Sequence, residues 1–176
     1  MSQQPTQIQP LSQPVDIPDP VATFSPEVEA EIDRHLAKYP LMRSAILPLM
    51  FIVQRERGYL DPAGVAYLAN RLRLRYTDIW EVATFYSMIH TTPVGLYHIQ
   101  ICKTLSCKIM GESNTTKHVC DRLGIKPGET TPDGKFTVSL VECLGSCGTA
   151  PMFQVNFDYH ENLTPAKVDQ ILDSLP

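Results

Sequence analysis

Four of the five cysteines fall into two short pairs, Cys102/Cys107 with four residues between them and Cys143/Cys147 with three. Each pair directly follows a stretch that reads as a β-strand. Val94 to Ile101 alternates, with Leu96, His98 and Gln100 on one side and Tyr97, Ile99 and Ile101 on the other; Phe136 to Glu142 is a second strand. Strand ends lie at a sheet edge, so a fold that brings both loops to the same edge lets four thiolates converge on one site. Gly145 and Gly148 free the second loop to turn tightly and aim backbone N–H groups at sulfur.

The thiols call for an explanation other than disulfides. The first residues are rich in Gln and Pro and contain no apolar signal core. Without an export signal a disulfide framework is not expected, and five cysteines would leave one unpaired. The longest apolar run, Ala45 to Val53, contains Pro48 and is far too short to span a bilayer. A net charge of −4 marks neither a nucleic-acid binder nor an anionic-membrane binder. A soluble intracellular protein without direct membrane insertion is the expectation.

The chain of 176 residues reads as a tail and two parts. Residues 1–24 carry five prolines and five glutamines and few large apolar groups, so a disordered tail is expected. Helix signals fill residues 25–92. Ser25-Pro26-Glu27 combines a hydroxyl cap, a first-turn proline and an acid, and Val28, Ile32, Leu36 and Tyr39 form one stripe. A second helix spans Ser44 to Arg57 and stops at Gly58. Asp61-Pro62 opens a third, through about Leu72. Thr77 caps a fourth that contains Ile79, Trp80, Val82, Phe85, Tyr86 and Met88, with Trp80, Phe85 and Tyr86 read as helix core. After Thr92-Pro93 the pattern becomes β–α–β–β–α: the two strands above, a helix over 113–123 capped by Ser113, a third strand over Met152 to Phe157, and a last helix capped by Thr164. The expected fold class is α+β.

Spacing narrows the chemistry. Structural zinc knuckles favour C-x₂₋₄-C, so these pairs sit at the loose end of that pattern, whereas a [2Fe–2S] centre accepts wider pairs. Iron–sulfur is favoured, and a Cys₄ zinc-stabilised interaction module is the alternative. Lys103 and Lys108 would help tune such a centre. No C-x-x-C is present for thioredoxin-type redox chemistry, and the five histidines lie away from the cysteine pairs, against a Rieske site. Cys120 shares a helix face with Val119 and Leu123 and reads as a core thiol. There is no G-x-G-x-x-G, and Gly128 to Lys135 is a turn, not a phosphate loop.

The segments Cys102-Lys103-Thr104-Leu105-Ser106-Cys107-Lys108 and Val141-Glu142-Cys143-Leu144-Gly145-Ser146-Cys147-Gly148-Thr149-Ala150-Pro151 resemble the thioredoxin-like [2Fe–2S] ferredoxin subunit of NADH:quinone oxidoreductase, respiratory complex I. Glu81 to Met88 and Tyr159 to Pro165 are similar to the same family. The resemblance implies a thioredoxin-like domain over 93–176 behind a helical bundle over 25–92. It implies one [2Fe–2S] cluster on Cys102, Cys107, Cys143 and Cys147; with no nicotinamide or flavin motif in the sequence, no catalytic residue or hydride site is expected on this chain. It also implies an FMN-containing NADH-binding subunit as partner, with the large iron–sulfur subunit beside it, in the cytoplasmic peripheral arm of a membrane-bound complex. The equivalent component of an NAD-linked hydrogenase or formate dehydrogenase resembles the same family.

Overall fold

The computed structural model describes residues 21–176, so the tail expectation over residues 1–20 lies outside the described residues. At its inner end that expectation is corrected. The Ala22 N–H donates to the Ala63 carbonyl at 3.1 Å, and the Phe24 ring meets Tyr67 edge-on at 4.7 Å. Ala22 and Phe24 are apolar groups that find a buried surface, so the packed chain begins before Ser25. The chain forms two compact units that divide at Pro93 and Val94.

The first unit is helical. In α1 (Pro26–Leu36) Ser25 accepts from the Val28 N–H, and Val28, Ile32 and Leu36 are buried. A 3₁₀ turn, Met42–Ala45, leads into α2 (Ile46–Arg57), where Pro48 falls in the first turn and Gly58 at φ 81° ends the helix. In α3 (Pro62–Leu72) the Asp61 carboxylate accepts from the Gly64 N–H. Gly64 is held small by its neighbour: a Cβ there would lie 2.7 Å from Val53 Cγ1. Ile32, Leu49, Met50, Val53, Leu60, Leu68, Leu72 and Ile79 fill the core.

The fourth helix differs from expectation at both ends. α4 runs Tyr76–Phe85, so Thr77 lies inside it and Arg75 is the cap position. The Asp78 carboxylate accepts from the Arg75 N–H at 3.1 Å and pairs with the Arg75 guanidinium at 2.6 Å. The helix buries Ile79 and Ala83. Phe85 follows Ala83 by two residues, about 200° round the axis, and is 78% exposed; Tyr86 is also exposed. Trp80 is half-buried and stacks on Tyr76. The assignment of Phe85 and Tyr86 to the core is therefore corrected.

The second unit is a four-stranded sheet with helices. Its elements are β1 (Tyr97–Cys102), α5 (Leu105–Ile109), α6 (Glu112–Leu123), β2 (Phe136–Val141), β3 (Phe153–Val155), β4 (Asp158–His160) and α7 (Pro165–Ser174). Strand order is β2-β1-β3-β4, with β1 and β2 parallel and the other pairs antiparallel. Ile99, Ile101, Val138 and Phe153 pack with Val119 of α6 and Val168, Ile171 and Leu172 of α7 in one core. His98 and Gln100, on the opposite face of β1, are also buried. His98 Nε2 lies 2.8 Å from Ser139 Oγ, and Gln100 Oε1 accepts from Gln154 Nε2.

Three details depart from the sequence pattern. α5 and β4 are additions to it; at five and three residues they are too short to show a period. The third strand ends at Val155, because Asn156 at φ 54° turns the chain into β4. α6 begins after Gly111, not Ser113, and Glu112 is buried beside Lys108 and Thr116. Among the described residues no helix is long and apolar enough to cross a membrane.

Asp78→Ala should destabilise the helical unit by about 1–2 kcal/mol at neutral pH. Trp80, the single tryptophan, provides the fluorescence signal in urea titrations. The Arg75 guanidinium holds the Asp78 carboxyl below its ordinary range. A depressed folded-state pKa gives stability that is complete above about pH 4 and is lost as pH falls through that pKa. The gap between wild type and variant should therefore close in acid; a gap that persists there excludes the ion-pair account.

Candidate metal centre

Parallel pairing builds the site. β1 and β2 run in the same direction with Cys102 opposite Val141, so both strands deliver their following loops to one edge. The Lys103 N–H donates to the Val141 carbonyl at 3.0 Å, extending the ladder past the strand end. Cys143 follows Val141 by two residues. On the other side, the Cys102 N–H donates to the Met152 carbonyl at 3.3 Å. Cys107 is carried on α5, and Cys147 opens a 3₁₀ turn, Cys147–Thr149.

The four sequence-predicted residues occupy two environments. Cys102 and Cys107 are 2% and 1% exposed and form a small apolar cluster with Ala150 and Met152, with Leu144 packed against it. Cys143 and Cys147 are exposed, with their sulfurs 3.7 Å apart. The Gly145 N–H donates to Cys143 Sγ at 3.4 Å, as the left-handed φ of 82° at Gly145 allows. Cys102 Sγ lies 3.3 Å from the Thr104 hydroxyl.

Burial pushes the Cys102 thiol up, but hydrogen bonds outweigh it: the Thr104 hydroxyl and N–H, the Leu144 N–H and the Cys107 thiol together draw it down. Leu144 lies between Cys143 and Cys147, so this N–H joins the two loops. Burial, reinforced by the adjacent Cys102 and by Cys147, pushes Cys107 up to about 11. Two neighbouring buried thiols resist ionising together unless positive charge lies between them. The lysines do not supply it. Lys103 pairs with Glu142 at 3.1 Å and Lys108 with the buried Glu112 at 3.0 Å, so the tuning expected of both ammoniums is tied up in carboxylates.

The outer pair has the donor type and spacing of a thiolate-bound metal centre. A tetrahedral centre with metal–sulfur bonds of about 2.3 Å separates its thiolates by about 3.8 Å, close to the Cys143–Cys147 spacing. Among the described residues no set of three or more Cys, His, Asp or Glu side chains is arranged to hold a metal ion. Cys120 is elsewhere, half-buried on α6 against the sheet core, and burial raises its pKa. Nothing in the sequence signals the parts played by Thr104, Leu144 and Met152, because two are backbone contacts between loops distant along the chain.

Comparison with known proteins agrees with this chemistry. Residues 32–176 match the family described as thioredoxin-like [2Fe-2S] ferredoxin. The second E-type subunit of the NADH-quinone oxidoreductase of Rhizobium meliloti (strain 1021) is 45% identical over 144 residues, covering 82% of this chain and 86% of the relative. The E-type subunit of the NADH-quinone oxidoreductase of Rickettsia prowazekii (strain Madrid E) is 45% identical over 141 residues, covering 78% and 80%. The crystal structure of an NAD⁺-reducing [NiFe]-hydrogenase in the air-oxidized state superposes with a TM-score of 0.63 at 25% identity, covering 72% of this chain and 22% of that chain.

In the reduced, metal-free chain at pH 8, iodoacetamide should modify Cys143 and Cys147 first. Cys107 should lag an unperturbed exposed thiol by on the order of 100-fold, because a thiol near 11 is almost wholly protonated. Peptide mass spectrometry over time reads the order; equal rates at Cys107 and Cys143 would contradict the buried and exposed pairing.

Proposed function

The chain belongs to the thioredoxin-like [2Fe–2S] ferredoxin family, and from that premise we propose that it is the E-type electron-transfer component of an NADH:quinone oxidoreductase. Cys102, Cys107, Cys143 and Cys147 would hold one [2Fe–2S] cluster. When bound, such a cluster takes up and releases one electron at a time. The observation that carries this reading is the parallel register of β1 and β2, which brings two thiol pairs to one sheet edge.

The protein's own residues bind and shield. Ala150, Met152 and Leu144 keep water from the inner pair, while the outer pair faces the surface, where a partner can approach. The Gly145 N–H, the Leu144 N–H and the Thr104 hydroxyl supply hydrogen bonds to thiolate sulfur. Hydride chemistry requires a nicotinamide site and a flavin that divides two electrons into single steps. The sequence carries no dinucleotide fingerprint, so we assign both to an FMN-containing NADH-binding partner subunit. The large iron–sulfur subunit is the second expected neighbour, with the whole in the peripheral arm, on the cytoplasmic side of the membrane. The hydrogenase likeness supports one other reading, the equivalent module of an NAD-linked hydrogenase, and the chains that co-purify distinguish the two.

Anaerobically purified protein should contain iron and acid-labile sulfide in equal amounts and show an EPR signal on reduction, with a potential of about −400 mV by analogy with plant-type clusters. One zinc per chain without sulfide would instead establish the zinc-stabilised module. Cys107→Ser should lose most of the cluster. Cys120→Ser should keep it and cost on the order of 1–3 kcal/mol of stability. The isolated chain should show no NADH:ferricyanide activity; robust NADH oxidation by it alone would refute the division of labour.

A further inference from the structure

The segment Tyr159 to Leu163 has no thiol, yet it is bonded repeatedly to the loop that carries the outer cysteines. Tyr159, on β4 opposite Gln154, donates its hydroxyl to the Leu144 carbonyl at 2.7 Å. The Ser146 hydroxyl donates to Glu161 Oε1, and the Thr149 hydroxyl donates to the same oxygen at 2.7 Å. Behind these, the Asn162 N–H donates to the Thr149 carbonyl at 2.7 Å and the Leu163 N–H to the Pro151 carbonyl at 3.0 Å. Lys167 of α7 donates to the Glu161 carbonyl at 2.5 Å, which anchors the clamp to the helix.

These contacts fall on either side of the outer sulfurs. Leu144 lies between the two cysteines, and its peptide groups face two ways: the carbonyl receives Tyr159, while the N–H serves the Cys102 sulfur. Ser146 and Thr149 flank Cys147, and one carboxylate oxygen gathers both hydroxyls. A glycine-bearing loop at a sheet edge is otherwise free to sample many backbone conformations. Two side chains from one strand and its exit thus restrain both outer sulfurs and the amide that reaches the inner pair.

We propose that Tyr159 and Glu161 are positioning residues for the metal centre: they hold the 143–149 loop so that Cys143 and Cys147 keep one separation and the Leu144 amide stays on Cys102. This rests on the cluster reading above. Through the loop, both residues govern how long a cluster survives and what its spectrum looks like, and the Glu161 charge disfavours an added electron.

The test uses the full chain in two forms, with Tyr159→Phe, Glu161→Ala and Glu161→Gln. In the reduced, metal-free form, amide hydrogen exchange over 144–149 should run about fivefold faster in Tyr159→Phe and Glu161→Ala, and near the wild-type rate in Glu161→Gln, whose amide oxygen still accepts both hydroxyls. In the anaerobically reconstituted form, Tyr159→Phe and Glu161→Ala should lose iron to a chelator several-fold faster and show an altered reduced-state EPR line shape. Glu161→Gln should restore the lifetime and move the potential in the positive direction. Val168→Ala removes buried methyls from the α7 core face and controls for general destabilisation; its EPR spectrum should be unchanged. Wild-type exchange and EPR in both Tyr159→Phe and Glu161→Ala overturn the proposal, as does a Val168→Ala spectrum altered in the same way. A wild-type chain that takes up no iron and sulfide overturns the cluster reading, and the exchange rates then judge the clamp by itself.

Discussion

The parallel pairing of β1 with β2 is the constraint from which the site follows. Cys102 and Val141 lie opposite each other at the ends of the two strands, and the Lys103 N–H continues the ladder into the loop. Side chains alternate along a strand, so a slip of one residue would turn Cys102 from the side of His98 and Gln100 to the side of Ile99 and Ile101, into the core beneath α6 and α7. The buried neighbours on both sides of β1 resist such a slip, which makes the position of one thiol a consequence of sheet packing as a whole. β3 adds a second restraint, because the Met152 carbonyl accepts from the Cys102 N–H.

Electrostatics sets the two inner thiols apart. Cys102 is drawn down by its hydrogen bonds and Cys107 is pushed up by burial and by Cys102 itself, so the inner pair holds on to at least one proton when nothing positive lies between its members. The nearby ammoniums are committed to Glu142 and Glu112. Hydrogen bonding to sulfur therefore comes from backbone amides and a threonine hydroxyl, fixed dipoles that favour the thiolate without adding a titrating charge. The outer pair, exposed beside the buried one, gives the site a wet side and a dry side.

Much of the helical unit is legible in the sequence because its signals are local. Ser25-Pro26 and Asp61-Pro62 cap their helices through side chains within four residues, and such contacts leave a sequence pattern. The start of α4 is not, because the Thr77 hydroxyl offers an obvious cap while the carboxylate of Asp78 is the group that reaches back to Arg75. The apolar pattern through Phe85 and Tyr86 extends the helix past its true end; Phe85 falls on the far side from Ile79 and Ala83. The short elements α5 and β4 carry too few residues for a period, and β4 exists because Asn156 turns and β3 offers an open edge.

The candidate thiol site is legible in the order of residues alone: two closely spaced cysteine pairs after strand-like runs, a glycine near Cys143, and a context specific enough to identify a family. Spacing along the chain limits how two thiols in one loop can sit, and that information is local. Tertiary packing sets the rest: that the two loops meet, which pair is buried, which amide bridges them, and that Tyr159 and Glu161 hold the outer loop. Each of those rests on contacts between residues far apart in sequence, such as Cys102 with Met152 and Ser146 with Glu161, and only strand order and register bring such residues together.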